Sequence, residues 1–249
     1  MFSITKTVVS ALVGIAVRER KLAGVDERLA DVFPEEFGSH TDPRKRSITL
    51  GELLSMTSGF CCTPAFLGDP VPELIQRPLG IDPGSGFHYD GGSSDLLSAA
   101  LAKVTGMTAA QYAQAHLFAP LGIRGVRWDA LGKRYSGGAA GLFLRPRELL
   151  AFGQLYLDDG RWRGKEVVPA AWVRQSTRAH VRVDRGIAYG YDWWITADPA
   201  PGFAALGYGG QALFVFPRLD LVVVVTAASD DERPRLVLAE LAVRAAQGP

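Results

Sequence analysis

The first apolar block of the chain has almost no polar side. Val8, Val9, Ala11, Leu12, Val13, Ile15, Ala16 and Val17 leave no solvent face on a helix drawn through them. The pattern therefore predicts a helix from about Ser3 that is buried all round rather than amphipathic. Arg18 to Lys21 is polar, and Gly24-Val25-Asp26 with Pro34 breaks any continuation, which reads as a surface connector. Thr49-Leu50-Gly51-Glu52 is a capping box, and Leu53, Leu54 and Met56 follow it before Gly59, so a short helix is marked at both ends. Residues 60–72 read as loop, and 72–76 as one helical turn. Turn chemistry at Asp82-Pro83-Gly84-Ser85-Gly86 delivers the chain to Phe87-His88-Tyr89-Asp90-Gly91-Gly92. Behind that loop Leu96, Leu97, Ala100, Leu101 and Val104 recur at helical spacing up to Gly106. Thr108 with Gln111 caps another helix, which stops before Pro120. Pro146 opens one carrying Leu149, Leu150, Phe152, Leu155 and Tyr156, and Pro169 opens a shorter one through Trp172 and Val173.

The tail changes character. Stretches 190–195, 204–207, 212–216 and 219–226 are apolar and partly β-branched, and Pro217-Arg218 joins the last two as an antiparallel hairpin. A final helix over about 235–246 offers Leu236, Leu238, Ala239, Leu241, Ala242 and Val243 to a sheet face. Helices followed by sheet plus helix predict an α+β fold in one domain over 1–249. About 1–160 is mainly helical, and about 161–249 is an antiparallel sheet with a C-terminal helix.

Composition narrows the class. The 249 residues are 47% hydrophobic with 28 glycines and 15 prolines, enough for a sizeable core linked by many turns. Basic and acidic side chains number 27 and 26, so no nucleic-acid surface is indicated. No apolar run reaches the ~18 residues that span a bilayer. The only cysteines are the neighbours Cys61-Cys62, and the chain shows no signal peptide, so a reducing, cytoplasmic setting is expected. His40, His88, His116 and His180 are scattered without ligand spacing, and neither metal nor other cofactor is expected.

Candidate chemistry begins at the head of the first helix. Ser3 and Lys6 are three residues apart and share a helix face, which puts a nucleophile beside a base. A serine needs its proton removed, and a lysine can remove it only when burial or nearby charge lowers its pKa from ~10.4. The apolar run behind Lys6 offers that burial. Taken alone, the pair also fits a serine that caps a core helix beside a solvated lysine; Ser-x-x-Lys is short enough to arise by chance.

With Tyr89 on its glycine-flanked loop and Gly207-Tyr208-Gly209-Gly210-Gln211 at the strand pair, the chain resembles the serine β-lactamase and penicillin-binding-protein superfamily. The likeness is to the class C-related esterase and amide-hydrolase branch. It extends through Leu50-Gly51-Glu52-Leu53-Leu54-Ser55-Met56-Thr57-Ser58-Gly59 and Leu117-Phe118-Ala119-Pro120-Leu121-Gly122-Ile123. The resemblance implies a β-lactamase/transpeptidase-like fold in which Ser3 attacks a carbonyl, Lys6 accepts its proton and Tyr89 relays a proton to the leaving group. It places Tyr208, Gly209 and Gly210 along the substrate, and the amides of Ser3 and Gln211 in an oxyanion hole. Two positions depart from the family pattern. Gly91 stands where an asparagine would steady the lysine, unless Asp90 or another residue does so. Tyr208 stands where a lysine or histidine would meet a substrate carboxylate. Both favour a small, less charged ester or amide over penicillin. A D-Ala carboxypeptidase or β-lactamase, and a non-catalytic remnant whose pocket only binds, are the rival expectations. Relatives also carry an N-terminal helix and strands ahead of the Ser-x-x-Lys helix, so the chain is expected to be a fragment or to start upstream. Strand 219–226 is then expected to expose an apolar edge suited to self-association.

Overall fold

The structure is a computed structural model and describes residues 1–39, 41–61, 70–229, 231 and 233–248. Helix α1 (Ile4–Arg18) runs through the centre with Ser3 at its N-cap, and every residue from Ile4 to Ala16 is buried. Its all-round apolar sequence answers to neighbours on every side. Gly14 lets the Trp172 ring approach so closely that an added Cβ would lie 2.2 Å from Cγ. Around it stand α2 (Leu29–Val32), α3 (Leu50–Leu54), α4 (Pro70–Gln76), α5 (Gly91–Thr105) and α6 (Ala109–Ala113). Then come α7 (Pro146–Leu157) and α8 (Ala170–Ser176). Both capping boxes form, at Thr49 with Glu52 and at Thr108 with Gln111, and α6 runs on into a π-helical turn, Gln114–Phe118.

Six antiparallel strands make the main sheet: β1 (Val181–Asp184), β2 (Ile187–Tyr189), β3 (Trp194–Thr196), β4 (Gly202–Gly207), β5 (Gln211–Phe216) and β6 (Leu221–Val225). They lie in chain order with β6 at one edge. The period of two in β4 to β6 sorts side chains cleanly. Phe203, Ala205, Leu213, Val215, Val222 and Val224 face the main core with α1 and α7. Ala204, Ala212, Phe214, Phe216 and Val225 face α9 (Arg233–Gln247) through Ala239 and Val243. The sheet is thus covered by helices on both faces. Among the described residues no helix is long and apolar enough to cross a membrane.

The tail departs from the sequence reading in two places. Stretch 190–195 is not one strand: Gly190 N–H bonds the Trp193 carbonyl at 2.8 Å in a reverse turn, and β3 starts only at Trp194. Inside the turn the amides of Tyr191 and Asp192 go to Ser176 and Leu54, so they are lost to the ladder. Ahead of it, β1 and β2 form a hairpin that the reading missed, because Arg182, Asp184 and Arg185 interrupt the apolar pattern at an edge of the sheet. Residues 62–69, which the reading placed in a loop, lie outside the described residues, as do Cys62 and His40.

Candidate active site

Ser3 heads α1, and Lys6 follows one turn later with its Nζ 3.2 Å from Ser3 Oγ. The residue before the serine, Phe2, has φ +48°, a left-handed conformation that a bulky side chain rarely adopts and that tends to mark functional sites. Lys6 is only 2% exposed. Its Nζ donates to the carbonyl of Ala139 at 2.7 Å and lies 5.3 Å from the centre of the Tyr89 ring. Burial lowers its pKa from the usual lysine range, and the negative charges of Asp192, Asp95 and Asp90 oppose that fall.

Tyr89 reaches the pair from the loop before α5. His88 N–H bonds the Met56 carbonyl at 2.8 Å and Asp90 N–H meets Met56 Sδ at 3.4 Å, which pins the loop on both sides of Tyr89. Burial pushes the phenol's pKa up to about 12, and the neighbouring Ser3 hydroxyl acts in the other direction. Beside it Trp194 stacks at 5.7 Å, Tyr189 lies edge-on at 6.2 Å and Phe87 at 6.4 Å, an aromatic wall.

The carbonyl on Lys6 belongs to a tight loop, 137–141. Asp95 on α5 holds that loop by accepting from the amides of Gly138 and Ala139 at 2.7 and 2.9 Å. Burial raises the Asp95 pKa, and those two amides counter it. Trp128 Nε1 donates to the Gly137 carbonyl at 2.7 Å. Gly91, the position lacking the family's asparagine, faces this loop: a Cβ there would lie 3.1 Å from Ala139 Cβ. A backbone carbonyl from another part of the chain thus occupies the amine where an asparagine side chain was expected. A cavity of about 390 Å³ opens alongside, lined in part by Phe2, Leu131, Ala140 and Phe143.

Asp90 is not placed to steady the lysine or meet a substrate. Its carboxylate takes Arg77 in a two-point ion pair at 2.7 and 3.0 Å, caps α5 at Gly92 and Ser93, and is buried with its partner. Burial pushes its pKa up, but Arg77 and the cap outweigh that and hold it below the usual value. The third motif forms the turn between β4 and β5, with Gly209 and Gly210 at φ +79° and +80°. Tyr208 is 63% exposed and meets Phe2 edge to face at 5.5 Å, which brings the turn to the head of α1. Gly207 abuts the same point: a Cβ there would come within 2.4 Å of the Met1 carbonyl. Gln211 begins β5 opposite Gly207, and its Nε2 donates to the Ala227 carbonyl at 2.6 Å. Asp192, Asp95 and Ala139 are site residues that sequence reasoning did not single out. Asp192 left one trace, a lone acid in the apolar run 190–195.

The profile of the Beta-lactamase family matches residues 1–247. A 6-aminohexanoate-dimer hydrolase from Paenarthrobacter ureafaciens is 28% identical over 184 residues, 68% of this chain and 46% of the relative. The chain thus spans less than half the length of that curated relative. Among solved structures, a Bacillus anthracis protein provisionally named a 6-aminohexanoate-dimer hydrolase superposes with TM-score 0.83 at 19% identity, over 99% of this chain and 72% of the other. A penicillin-binding-protein homologue from Caulobacter crescentus gives 0.80 at 18%, over 99% and 82%. At these identities the structural likeness establishes the fold.

Proposed function

The chain belongs to the Beta-lactamase family, and from that premise we propose that it is a serine hydrolase that opens a small ester or amide through an acyl-enzyme on Ser3. The observation that carries this reading is the buried Lys6 amine 3.2 Å from the Ser3 hydroxyl, with the Tyr89 ring centre 5.3 Å from the same amine. A neutral amine that donates one hydrogen to the Ala139 carbonyl keeps its lone pair for the serine proton.

Ser3 Oγ bonds to the substrate carbonyl carbon while its proton passes to Lys6 Nζ. The carbonyl oxygen takes the negative charge and rests on the backbone N–H of Ser3, with a second donor from the turn 208–211 that abuts Phe2. The bond to the leaving group then breaks as Tyr89 gives it a proton, and Lys6 returns one to the phenol. Water attacks the acyl carbon, its proton goes to the same phenol and amine pair, and the serine leaves with its proton restored.

The exposed ring of Tyr208 at the third motif, edge-on to Phe2, supports an uncharged substrate group on that side. The relative whose name specifies hydrolysis of a 6-aminohexanoate dimer supports an amide among the candidates. A fluorophosphonate label followed by intact-mass measurement tests the reading. One adduct on the native chain, lost in Ser3→Ala and slowed in Lys6→Met, is the expected result. A folded protein that takes no label would return the pocket to a binding role.

A further inference from the structure

The exposed aromatic side chains among the described residues are four: Phe2 at 47%, Tyr89 at 39%, Phe143 at 45% and Tyr208 at 63%. They come from four separate parts of the chain, yet all of them gather at the head of α1. Phe2 precedes Ser3 and meets Tyr208 edge to face at 5.5 Å. Phe143 lines, together with Phe2, the cavity of about 390 Å³ beside Ala139. The Tyr89 ring lies 5.3 Å from the Lys6 amine, and Phe87 and Trp194 extend its surface. A single exposed ring needs no explanation, but exposed rings collected on one spot mark a binding surface. Phe2 carries a second cost, because its left-handed backbone is strained for a bulky residue. Neither feature stabilises the fold.

We propose that these four rings form a substrate collar around the nucleophile, and that the collar takes a neutral ester or amide with apolar groups on both sides of its carbonyl. The proposal rests on Ser3 being the nucleophile. Rings that stand in water gain most from an apolar ligand, which covers them without asking for a polar partner. The charges at the edge of the collar point the same way. Arg127 lies 4.4 Å over the Phe143 ring and pairs with Asp129 at 3.0 Å. Asp129 and Asp95 both line the cavity, and Asp95 is held by the amides of 138 and 139. A substrate carboxylate would have to win Arg127 from Asp129 and then sit beside two acids. Tyr208 is the residue on which specificity turns: a lysine or histidine in its place would offer a carboxylate a partner, whereas the phenol ring offers an apolar face.

Hydrolysis of ethyl acetate, butyl butyrate and monoethyl succinate by the full chain, followed in a pH-stat, tests the proposal. Four methylenes separate the first two esters, and each is worth about fourfold when fully buried, so an open collar favours butyl butyrate in kcat/KM by about tenfold or more. Monoethyl succinate is turned over about tenfold less well than butyl butyrate, or worse. Tyr208→Ala and Phe143→Ala each cut the butyrate-to-acetate ratio about threefold or more, and that ratio does not depend on how much of the protein is folded. Leu150→Ala, at an exposed apolar position on α7, leaves the ratio in place. Tyr208→Lys raises the rate on monoethyl succinate relative to butyl butyrate. Equal rates on the two neutral esters, or a ratio that neither Tyr208→Ala nor Phe143→Ala moves, overturns the proposal. Where no ester is turned over, calorimetry on Ser3→Ala decides: butyl butyrate binding about tenfold tighter than ethyl acetate supports the collar, and equal or absent binding, as for rings that only join two copies of the chain, overturns it. A native chain that also takes no fluorophosphonate label sinks the hydrolase reading separately.

Discussion

Asp90→Asn separates two roles for the residue after Tyr89. In the structure its carboxylate meets Arg77 at 2.7 and 3.0 Å with side chains 2% and 3% exposed, and it caps α5 through Gly92 and Ser93. Asparagine caps a helix about as well as aspartate, so the cap survives the change. What is lost is the charge opposite a buried guanidinium, a loss that costs ~3–5 kcal/mol. Arg77 keeps its bond to the Leu74 carbonyl and its place 4.9 Å from the centre of the Phe60 ring, so the lower end of that range applies. For a chain of this size, about 3 kcal/mol lowers Tm by roughly 6–12 °C. Urea unfolding and a thermal melt read both numbers. Asp90→Ala loses a further ~1 kcal/mol with the cap, and adding Arg77→Met to Asp90→Asn recovers most of the loss, because no buried charge is then left unpaired. The pH dependence has a definite sign. The Asp90 pKa is depressed in the folded state, so its stabilisation is complete above the unfolded value of 3.8 and disappears as pH falls through the folded value. Native protein and variant therefore converge in acid. A variant within ~1 kcal/mol of native that instead raises KM would refute the assignment and place the carboxylate on substrate.

Further consequences are open to the same kinds of measurement. Tyr89→Phe keeps the ring in the aromatic wall and removes the proton relay, so kcat falls ~10²–10⁴-fold while stability stays within ~0.5 kcal/mol. The kcat/KM of the native protein rises with pH through the depressed pKa of Lys6, below the 10.5 of a free lysine, and shows no alkaline fall from Tyr89 until near its own value of about 12. An acid limb at the ordinary lysine value sinks the general-base role. Gly138→Ala puts a Cβ 1.9 Å from the Ser94 carbonyl oxygen, so the loop that carries the Ala139 carbonyl must move. Fluorophosphonate labelling slows, and unfolding becomes easier by ~1–3 kcal/mol. Gly14→Ala drives a methyl into the Trp172 ring eight residues beyond Lys6 along α1, so it lowers stability by a similar ~1–3 kcal/mol and leaves the pH profile in place.

The features legible before folding are local or periodic. The apolar run behind Lys6 announced a buried helix, and the three-residue spacing put the amine beside Ser3 because a helix repeats every 3.6 residues. The capping boxes at Thr49 and Thr108, and the apolar, partly β-branched runs that become β5 and β6, were legible because capping and strand preference are local. Tertiary structure alone decided the rest. The group on the Lys6 amine is a backbone carbonyl 133 residues away, and a carbonyl looks the same in the sequence wherever it is used. Asp90 neighbours Tyr89 in the chain, yet it turns inward to Arg77, the residue just past α4, because a buried guanidinium nearby outbids solvent for its charge. Asp192 sits in an apolar run that reads as strand, but the amides around it are claimed by Leu54 and Ser176, and so the chain turns there and buries an acid behind the nucleophile.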